Sequence, residues 1–362
     1  MQLNNALDLY SDYLIVNQGQ CTSTALSDLL DGQYSHDKIT RAISKASLGS
    51  KDLWQIVKPK VKPINKVGGV LILDDTIEEK AYMEENDLIC WHYDHVTGRS
   101  IKGINQLTGL YENEDISLPI AYVLIEKKLW VYDKKKKKDK RVSAISKQAY
   151  FRDLIQQSIA NGLVISYILA DKWYSCKDNF VFIESIGHHF IMPLKDNRKV
   201  ALSKEDQLEE KYQPIESLVW EDNQMLYVYV EGVDFPLLLT KQLFKNGDAE
   251  AVLYLVTNDL TVDAQTMNDQ YQRRWKVEVF YKSIKSNLGY ANSPTHTVRT
   301  QSNHLFLSMV AFVKMEILKK ATQKNHFAMK RILTMNALKA SWRKFQIIKN
   351  NSTAISLLNQ CA

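Results

Sequence analysis

Residues 271–285 read YQRRWKVEVFYKSIK, and the fold is decided by how that stretch is read. No Gly or Pro interrupts it and good helix formers fill it, so it predicts one helix. At 3.6 residues per turn, Tyr271, Arg274, Glu278 and Lys285 fall within roughly 60° of one another around the axis. One stripe then carries a phenol, a guanidinium, a carboxylate and an ammonium, while Trp275, Val277 and Phe280 lie off it and can pack. A carboxylate can hold a divalent metal, and flanking cations and a hydroxyl can grip the phosphate that the metal activates. A solvated helix face with an Arg274–Glu278 pair has the same pattern, so the stripe needs support from elsewhere in the chain.

That support lies upstream, in two apolar runs that each end in an acid. Residues 70–73 (VLIL) form a β-type run that leads into Asp74, Asp75 and Thr76. Such a run suits a central strand covered on both faces. Strand side chains alternate, so Asp74 and Asp75 point opposite ways and only one of them can serve a given site. Residues 163–170 (LVISYILA) repeat the layout and end in Asp171. A helix expected over 146–160, closed by Asn161–Gly162, joins the two runs as a crossover that brings parallel strand ends side by side.

The spacing Y-x2-R-x3-E-x6-K resembles the signature of the cut-and-paste DDE transposases of bacterial insertion sequences, in which two strand-end aspartates complete the site. The ligand there is the Asp before a Thr, which by resemblance is Asp75, with Asp74 in reserve. Trp173 and Tyr174 also fit the family pattern, whereas Lys172 departs from its usual small residue. The resemblance spans most of the chain, from the strand that ends in Asp74, Asp75 and Thr76 to the signature helix, with the N-terminal helical region as the implied end-binding domain. It implies catalytic and metal-holding roles for Asp75, Asp171 and Glu278, and terminal-phosphate binding by Tyr271, Arg274 and Lys285. Three converging carboxylates repel one another, and two Mg²⁺ ions roughly 4 Å apart, with Mn²⁺ able to substitute, would relieve that. In hairpin-forming members an insertion Trp stacks on a flipped base, and Trp220 is the one Trp of the strand-rich 194–248 stretch. Its plain alternative is a core Trp of that segment.

Composition sets the bounds. The chain has 362 residues, 45% hydrophobic and 24% charged, with net charge +6. Residues 296–362 hold eleven Lys/Arg and one acid, Glu316, so this segment alone is +10 and the remainder −4. A concentrated basic end points to a polyanion such as nucleic acid. The four cysteines, Cys21, Cys90, Cys176 and Cys361, are scattered without a C-x-x-C, which predicts reduced thiols rather than a zinc ribbon or a disulfide framework. No secretory leader and no apolar run of about 18 residues is legible.

Residues 1–66 read as helical. A first helix is expected over 5–16, followed by a helix, a turn at Gly32 and a second helix capped by Ser35, with Ile39, Ala42 and Ile43 at helical spacing. This is a helix-turn-helix layout in which Ser35, His36, Lys38 and Arg41 would face DNA. Pro59 and Pro63 in KPKVKPINK suggest a linker. Residues 88–125 predict antiparallel strands with Gly98 in a turn. His92 and His95 fall on opposite faces of a strand, so a metal pair there is disfavoured. The five-lysine run 134–138 predicts a solvated loop able to track a DNA backbone. Residues 287–304 read as a turn-rich bridge, 305–320 as a helix, and the remainder as helical and basic. A late helix would pack through Leu333, Leu338, Trp342, Phe345 and Ile348, leaving Lys330, Arg331, Lys339, Arg343, Lys344 and Lys349 for phosphate.

The expectation is an α/β protein with a ribonuclease-H-like mixed sheet, divided as follows: a helical DNA-binding region at 1–66, core at 67–193 and 251–295, a β-rich insertion at 194–250, and a basic helical region at 296–362. The implied function is metal-dependent excision and integration of an insertion sequence at inverted-repeat ends, with a hairpin intermediate. Double-stranded DNA is the implied partner, a homodimer on paired ends the implied assembly, and the bacterial cytoplasm and nucleoid the implied location. The alternatives are a hydrolysis-only nuclease of the same fold and a domesticated DNA-binding protein.

Overall fold

A computed structural model of the chain describes residues 3–94, 97–134, 137–246 and 249–350. His95, the central lysines Lys135 and Lys136, and residues 351–362 with Cys361 lie outside the described residues. The chain divides into two compact units. One holds Ser47–Tyr281 and His296–Asn303; the other holds Leu3–Ala46, Lys282–Thr295 and the chain from His304 onward. Among the described residues no helix is long and apolar enough to cross a membrane.

The first unit opens with α4 (Ser50–Val61), which follows α1 (Asn5–Val16), α2 (Ser23–Leu29) and α3 (His36–Lys45) of the second unit. It continues with β1 (Val70–Glu79), β2 (Cys90–Asp94), β3 (Arg99–Asn113), β4 (Ile116–Leu124), β5 (Leu129–Asp133) and β6 (Lys138–Val142). Next come α5 (Lys147–Ala160), β7 (Tyr167–Ala170), α6 (Lys177–Ser185), β8 (Phe190–Leu194), β9 (Lys199–Ala201), α7 (Lys204–Leu208) and β10 (Gln213–Pro214). The last strands are β11 (Met225–Val230), β12 (Leu237–Asn246) and β13 (Ala249–Thr257), followed by α8 (Ala264–Gln272) and α9 (Trp275–Asn287).

One 11-stranded mixed sheet runs in the order β10-β9-β11-β12-β13-β8-β7-β1-β3-β2, with β4 also on β3, and β5–β6 form a separate hairpin. The architecture is therefore mixed α/β. Val70, Leu71, Ile72 and Leu73 are all fully buried, as a strand between two neighbours requires. They pair in parallel with Tyr167, Ile168, Leu169 and Ala170 of β7, and β7 pairs in parallel with β8. On its other side β1 is antiparallel to β3 along its whole length. The crossover α5 is capped by Ser146, whose Oγ accepts from the Ala149 amide at 3.1 Å. It stops at Gly162, whose φ of +77° is the left-handed conformation open to a residue without Cβ.

Four expectations need correction here. The signature stretch is two helices, α8 and α9, broken at Arg273–Arg274. Tertiary anchoring overrides helix propensity at that point. Arg273 Nε donates to Glu112 Oε2 at 2.5 Å, and its Nη1 donates to the Gly68 carbonyl at 2.7 Å. Of the three residues expected to pack, Val277 and Phe280 are fully buried, but Trp275 is 65% exposed. The KPKVKPINK stretch is no linker. Pro59 sits inside α4, and Val57, Val61 and Ile64 are buried, so the run is held by its apolar side. Lastly, β1 does not stop at its acids. It continues to Glu79 along β3, and it is the pairing with β7 that stops at Leu73.

In the second unit α1 matches the expected span, and Asn4 caps it, its Oδ1 accepting from the Ala6 amide at 2.8 Å. Gly32 takes φ +74° between α2 and α3, and Ser35 caps α3. Ile39 and Ile43 are buried while Lys38 and Arg41 are exposed. The unit also holds parts of α9 and α10 (Val298–Thr322), together with α11 (His326–Asn350). Buried Tyr10 hydrogen-bonds His304 Nδ1 at 3.0 Å. The packing expected of the late helix is not seen: Leu333, Leu338, Trp342 and Phe345 stay 40–64% exposed. Lys330 is not free for phosphate, because its buried ammonium donates to the carbonyls of Ile15 at 2.8 Å and Asn17 at 2.7 Å. The contact with α1 is made by the early turns of α11, where Met329 and Lys330 are buried.

Candidate active site

The parallel register of β1 and β7 builds the site. Leu73 lies opposite Ala170, so the next residues, Asp74 and Asp171, emerge side by side where the pairing ends. Paired neighbours share a face, whereas Asp75, one residue on, points to the other. Arg274 lies in the break between α8 and α9, and its Nη1 is 3.3 Å from both Asp74 Oδ2 and Glu278 Oε1. One guanidinium thus bridges an acid of the sheet and an acid of the helix. Tyr281 Oη donates to the Asp74 carbonyl at 2.6 Å and ties α9 to the strand. The Trp173 amide donates to Asp171 Oδ1 at 2.9 Å.

Asp75 is engaged elsewhere. Its Oδ2 accepts from Lys147 Nζ at 2.8 Å and its Oδ1 from Tyr174 Oη at 2.7 Å. Tyr174 stacks on Phe151 with ring centroids 4.6 Å apart, and Lys147 Nζ lies 4.4 Å from the Trp173 ring centroid. The geometry therefore groups Asp74, rather than the expected Asp75, with Arg274 and Glu278. Strand alternation is the reason. Motif spacing missed Lys147 and Tyr281 altogether, since neither belongs to a spaced pattern and each reaches the acids only through the fold.

The electrostatics follow from burial. Desolvation, then the negative charge of Asp171, push the Asp74 carboxyl well above the usual carboxylate range, with Arg274 opposing. Burial also raises Asp171, against the Trp173 amide and Arg274, and the negative charge of Asp75 adds to the rise. Burial works against the charge on Arg274, but Tyr271, Asp74, Glu278 and Asp171 outweigh it and raise its pKa. Tyr271 is pushed up to about 12, chiefly by burial, so its hydroxyl keeps its proton and can donate. Among the described residues no three His, Cys, Asp or Glu side chains converge closely enough to form a metal-binding group. Arg274 is the cation that joins the acids.

The other expected residues are less central. Lys285 stands in the last turn of α9, in the second unit. Lys38 and Arg41 lie on α3 of that unit, Lys38 Nζ 4.4 Å from the Tyr34 ring centroid. Trp220 is only 8% exposed and stacks on Tyr254 at 6.1 Å, so its ring is core of the strand-rich segment and is not presented to a base.

Two families of known proteins match this chain. Residues 3–216 fit the family described as DDE superfamily endonuclease, and residues 144–313 fit the transposase DDE domain. A protein of Geobacillus stearothermophilus described as a probable transposase for insertion sequence element IS5377 is 38% identical over 73 residues. That similarity spans 19% of each chain, so the chain covers about a fifth of the relative's length. The first family covers more than half of the chain and includes both strand-borne aspartate positions, and this chain belongs to it: the DDE superfamily of endonucleases.

Proposed function

We propose that the chain is a transposase that cuts and joins DNA at the inverted-repeat ends of an insertion sequence, with Asp74, Asp171 and Glu278 as its catalytic acids. The observation that carries the reading is the bridge made by Arg274 between Asp74 and Glu278 beside the β7 strand end that leads into Asp171. The sheet order supports a ribonuclease-H-like core, with antiparallel β3 and β4 on one side of β1 and parallel β7 and β8 on the other.

Members of this superfamily use divalent metal ions, and the donor set suits them. Three carboxylates offer hard oxygen ligands, and a buried acid pair with raised affinity for protons is a pair short of positive charge. Asp74, Asp171 and Glu278 would hold Mg²⁺ once Arg274 releases the carboxylates. A bound divalent cation supplies neutralisation of the acids and polarisation of a phosphate oxygen. The chain's own groups do the rest. Arg274, freed from its acids, grips the phosphate with its planar fork. Tyr271 donates a hydrogen bond without losing its proton. Tyr281 and the Trp173 amide keep the strand ends in position, and the Lys147–Asp75–Tyr174 set holds the start of α5 against the sheet. Lys38 and Arg41 of α3 would contact the phosphates of the terminal repeat, Lys285 would serve the terminal phosphate, and two copies would act on paired ends.

The test is cleavage of labelled DNA carrying the element's own ends, in Mg²⁺ or EDTA, with Glu278→Gln alongside. Mg²⁺-dependent cutting at the ends, lost in the variant, is the expected result, and a hairpin product would establish the route. Binding of the ends without cutting would sink the enzymatic reading, and cutting without end preference would favour a general nuclease.

A further inference from the structure

A basic and aromatic groove leads away from the catalytic acids, and neither the DDE chemistry nor the end-binding region accounts for it. Its inner part is a cavity of about 290 Å³ lined by His92, Asn105, Lys127, Ser143, Lys147 and Trp173 among others. Two of these residues reach the strand ends that carry the acids: Lys147 donates to Asp75, the neighbour of Asp74, and the Trp173 amide to Asp171. The outer part is a cavity of about 670 Å³ between β2 and the β5–β6 hairpin, and it shares His92, Tyr93, Lys127 and Ser143 with the inner one.

Three features of this groove point to a ligand. First, aromatic rings stand out where a soluble sheet would normally hide them. Trp91, Tyr93 and Trp130 are 54%, 56% and 59% exposed. Trp91 and Tyr93 share one face of β2, while His92 between them is buried. Second, the described residues of 126–143 carry seven Lys/Arg against three acids, a net +4. Some of this charge is spent internally, since Arg141 Nη1 donates to Asp87 at 2.5 Å and Lys140 pairs with Asp133 at 2.9 Å. Third, His92 Nε2, Asn105 Oδ1 and Ser143 Oγ are buried without a hydrogen-bond partner. His92 and Asn105 are 6% and 2% exposed, and buried polar atoms are rarely left so.

We infer that this groove binds one strand of DNA led away from the catalytic acids, with bases stacked on Trp91, Tyr93 and Trp130 and phosphates held by Lys127 and Lys138, which line the outer cavity. Alternating cations and exposed rings are what sequence-tolerant single-strand binding requires, because every base has a face to stack and every linkage a charge to pair. A duplex keeps its bases stacked on one another and offers these rings nothing. The inference rests on the proposed DNA chemistry, but its test does not depend on cleavage.

The probe is a fluorescein-labelled 15-nucleotide oligo-dT, with a 15-base-pair duplex of mixed sequence alongside, titrated in EDTA with the full chain carrying Glu278→Gln. Adding Trp91→Ala and Trp130→Ala should weaken oligo-dT binding about 30-fold or more, with duplex binding and the unfolding midpoint unchanged. The Trp91→Phe, Trp130→Phe pair keeps aromatic faces and should stay within about threefold of the parent. Oligo-dT binding by the Ala pair equal to the parent would overturn the inference, as would equal competition by poly-glutamate of matched charge. Wild-type protein that fails to cut in Mg²⁺ would remove the proposed function, while the EDTA titration would still decide the groove.

Discussion

Asp74→Asn and Asp75→Asn should separate catalysis from stability, in opposite directions. Burial and Asp171 raise the Asp74 carboxyl in the folded protein. The folded state therefore binds that proton more tightly than the unfolded chain. The stability this gives is fully present below the ordinary carboxyl range and is lost as pH rises through the raised folded value. An amide at position 74 does not titrate, and Arg274 keeps Glu278 as a partner. Asp74→Asn should then unfold at or above the parent temperature at pH 8. Its cutting should fall by about a thousandfold or more, since losing a metal ligand removes about 4 kcal/mol of transition-state stabilisation. Asp75→Asn removes the charge that Lys147 and Tyr174 share, with Asp75 and Lys147 side chains only 15% and 25% exposed. Tyr174 can still donate to the amide oxygen, but Lys147 loses its ion pair, a loss of about 2–3 kcal/mol. At about 2–4 °C per kcal/mol for a unit of this size, the midpoint should drop by about 4–12 °C. The assay is scanning calorimetry beside end cleavage at a temperature where both variants are folded. Asp75→Asn that abolishes cutting with an unchanged midpoint would refute the assignment and return the ligand role to Asp75.

Further outcomes follow from the same geometry. Arg274→Met leaves Asp74 and Asp171 without their opposing cation, so its urea midpoint should fall below the parent's at pH 8 and approach it at pH 5, as the carboxyls take up protons; a deficit independent of pH would contradict the bridge. Trp220→Ala should destabilise by about 3–5 kcal/mol in urea titrations, whereas Trp220→Phe should leave end cutting and any hairpin yield within about twofold, because the ring packs on Tyr254. Lys38→Ala with Arg41→Ala should weaken binding to the terminal repeat and make its log–log salt dependence shallower by about 2, as two lost phosphate contacts would; an unchanged slope would remove α3 from the interface.

The backbone signals short in range were the legible ones. Ser35 caps α3 where the sequence places it, because a cap is made by residues three apart. The buried runs before Asp74 and Asp171 were legible from apolarity alone, since a strand covered on both faces must be apolar throughout. What misled were contacts set by distant partners. The sequence leaves Trp220 open between a base-stacking and a core ring because nothing local marks its stacking on Tyr254, and it predicts a covered last helix because amphipathic spacing does not say whether a partner exists.

By itself the sequence determined the elements that carry the candidate groups: two acids after apolar strands, and Arg274 and Glu278 after a third strand. These depend on local propensity and on periodicities of 2 and 3.6, which need no knowledge of the fold. Only the tertiary structure decided which aspartate faces the cluster, because that turns on the β1–β7 register and a single step of strand alternation. Only it broke the signature helix at Arg273, where a side chain reaches Glu112, 161 residues away in sequence, and holds the backbone out of helical continuity. Only it brought Lys147 to Asp75 and set exposed Trp91 and Trp130 on the two sides of one basic groove, since proximity between remote segments is a property of the closed sheet and not of any segment within it.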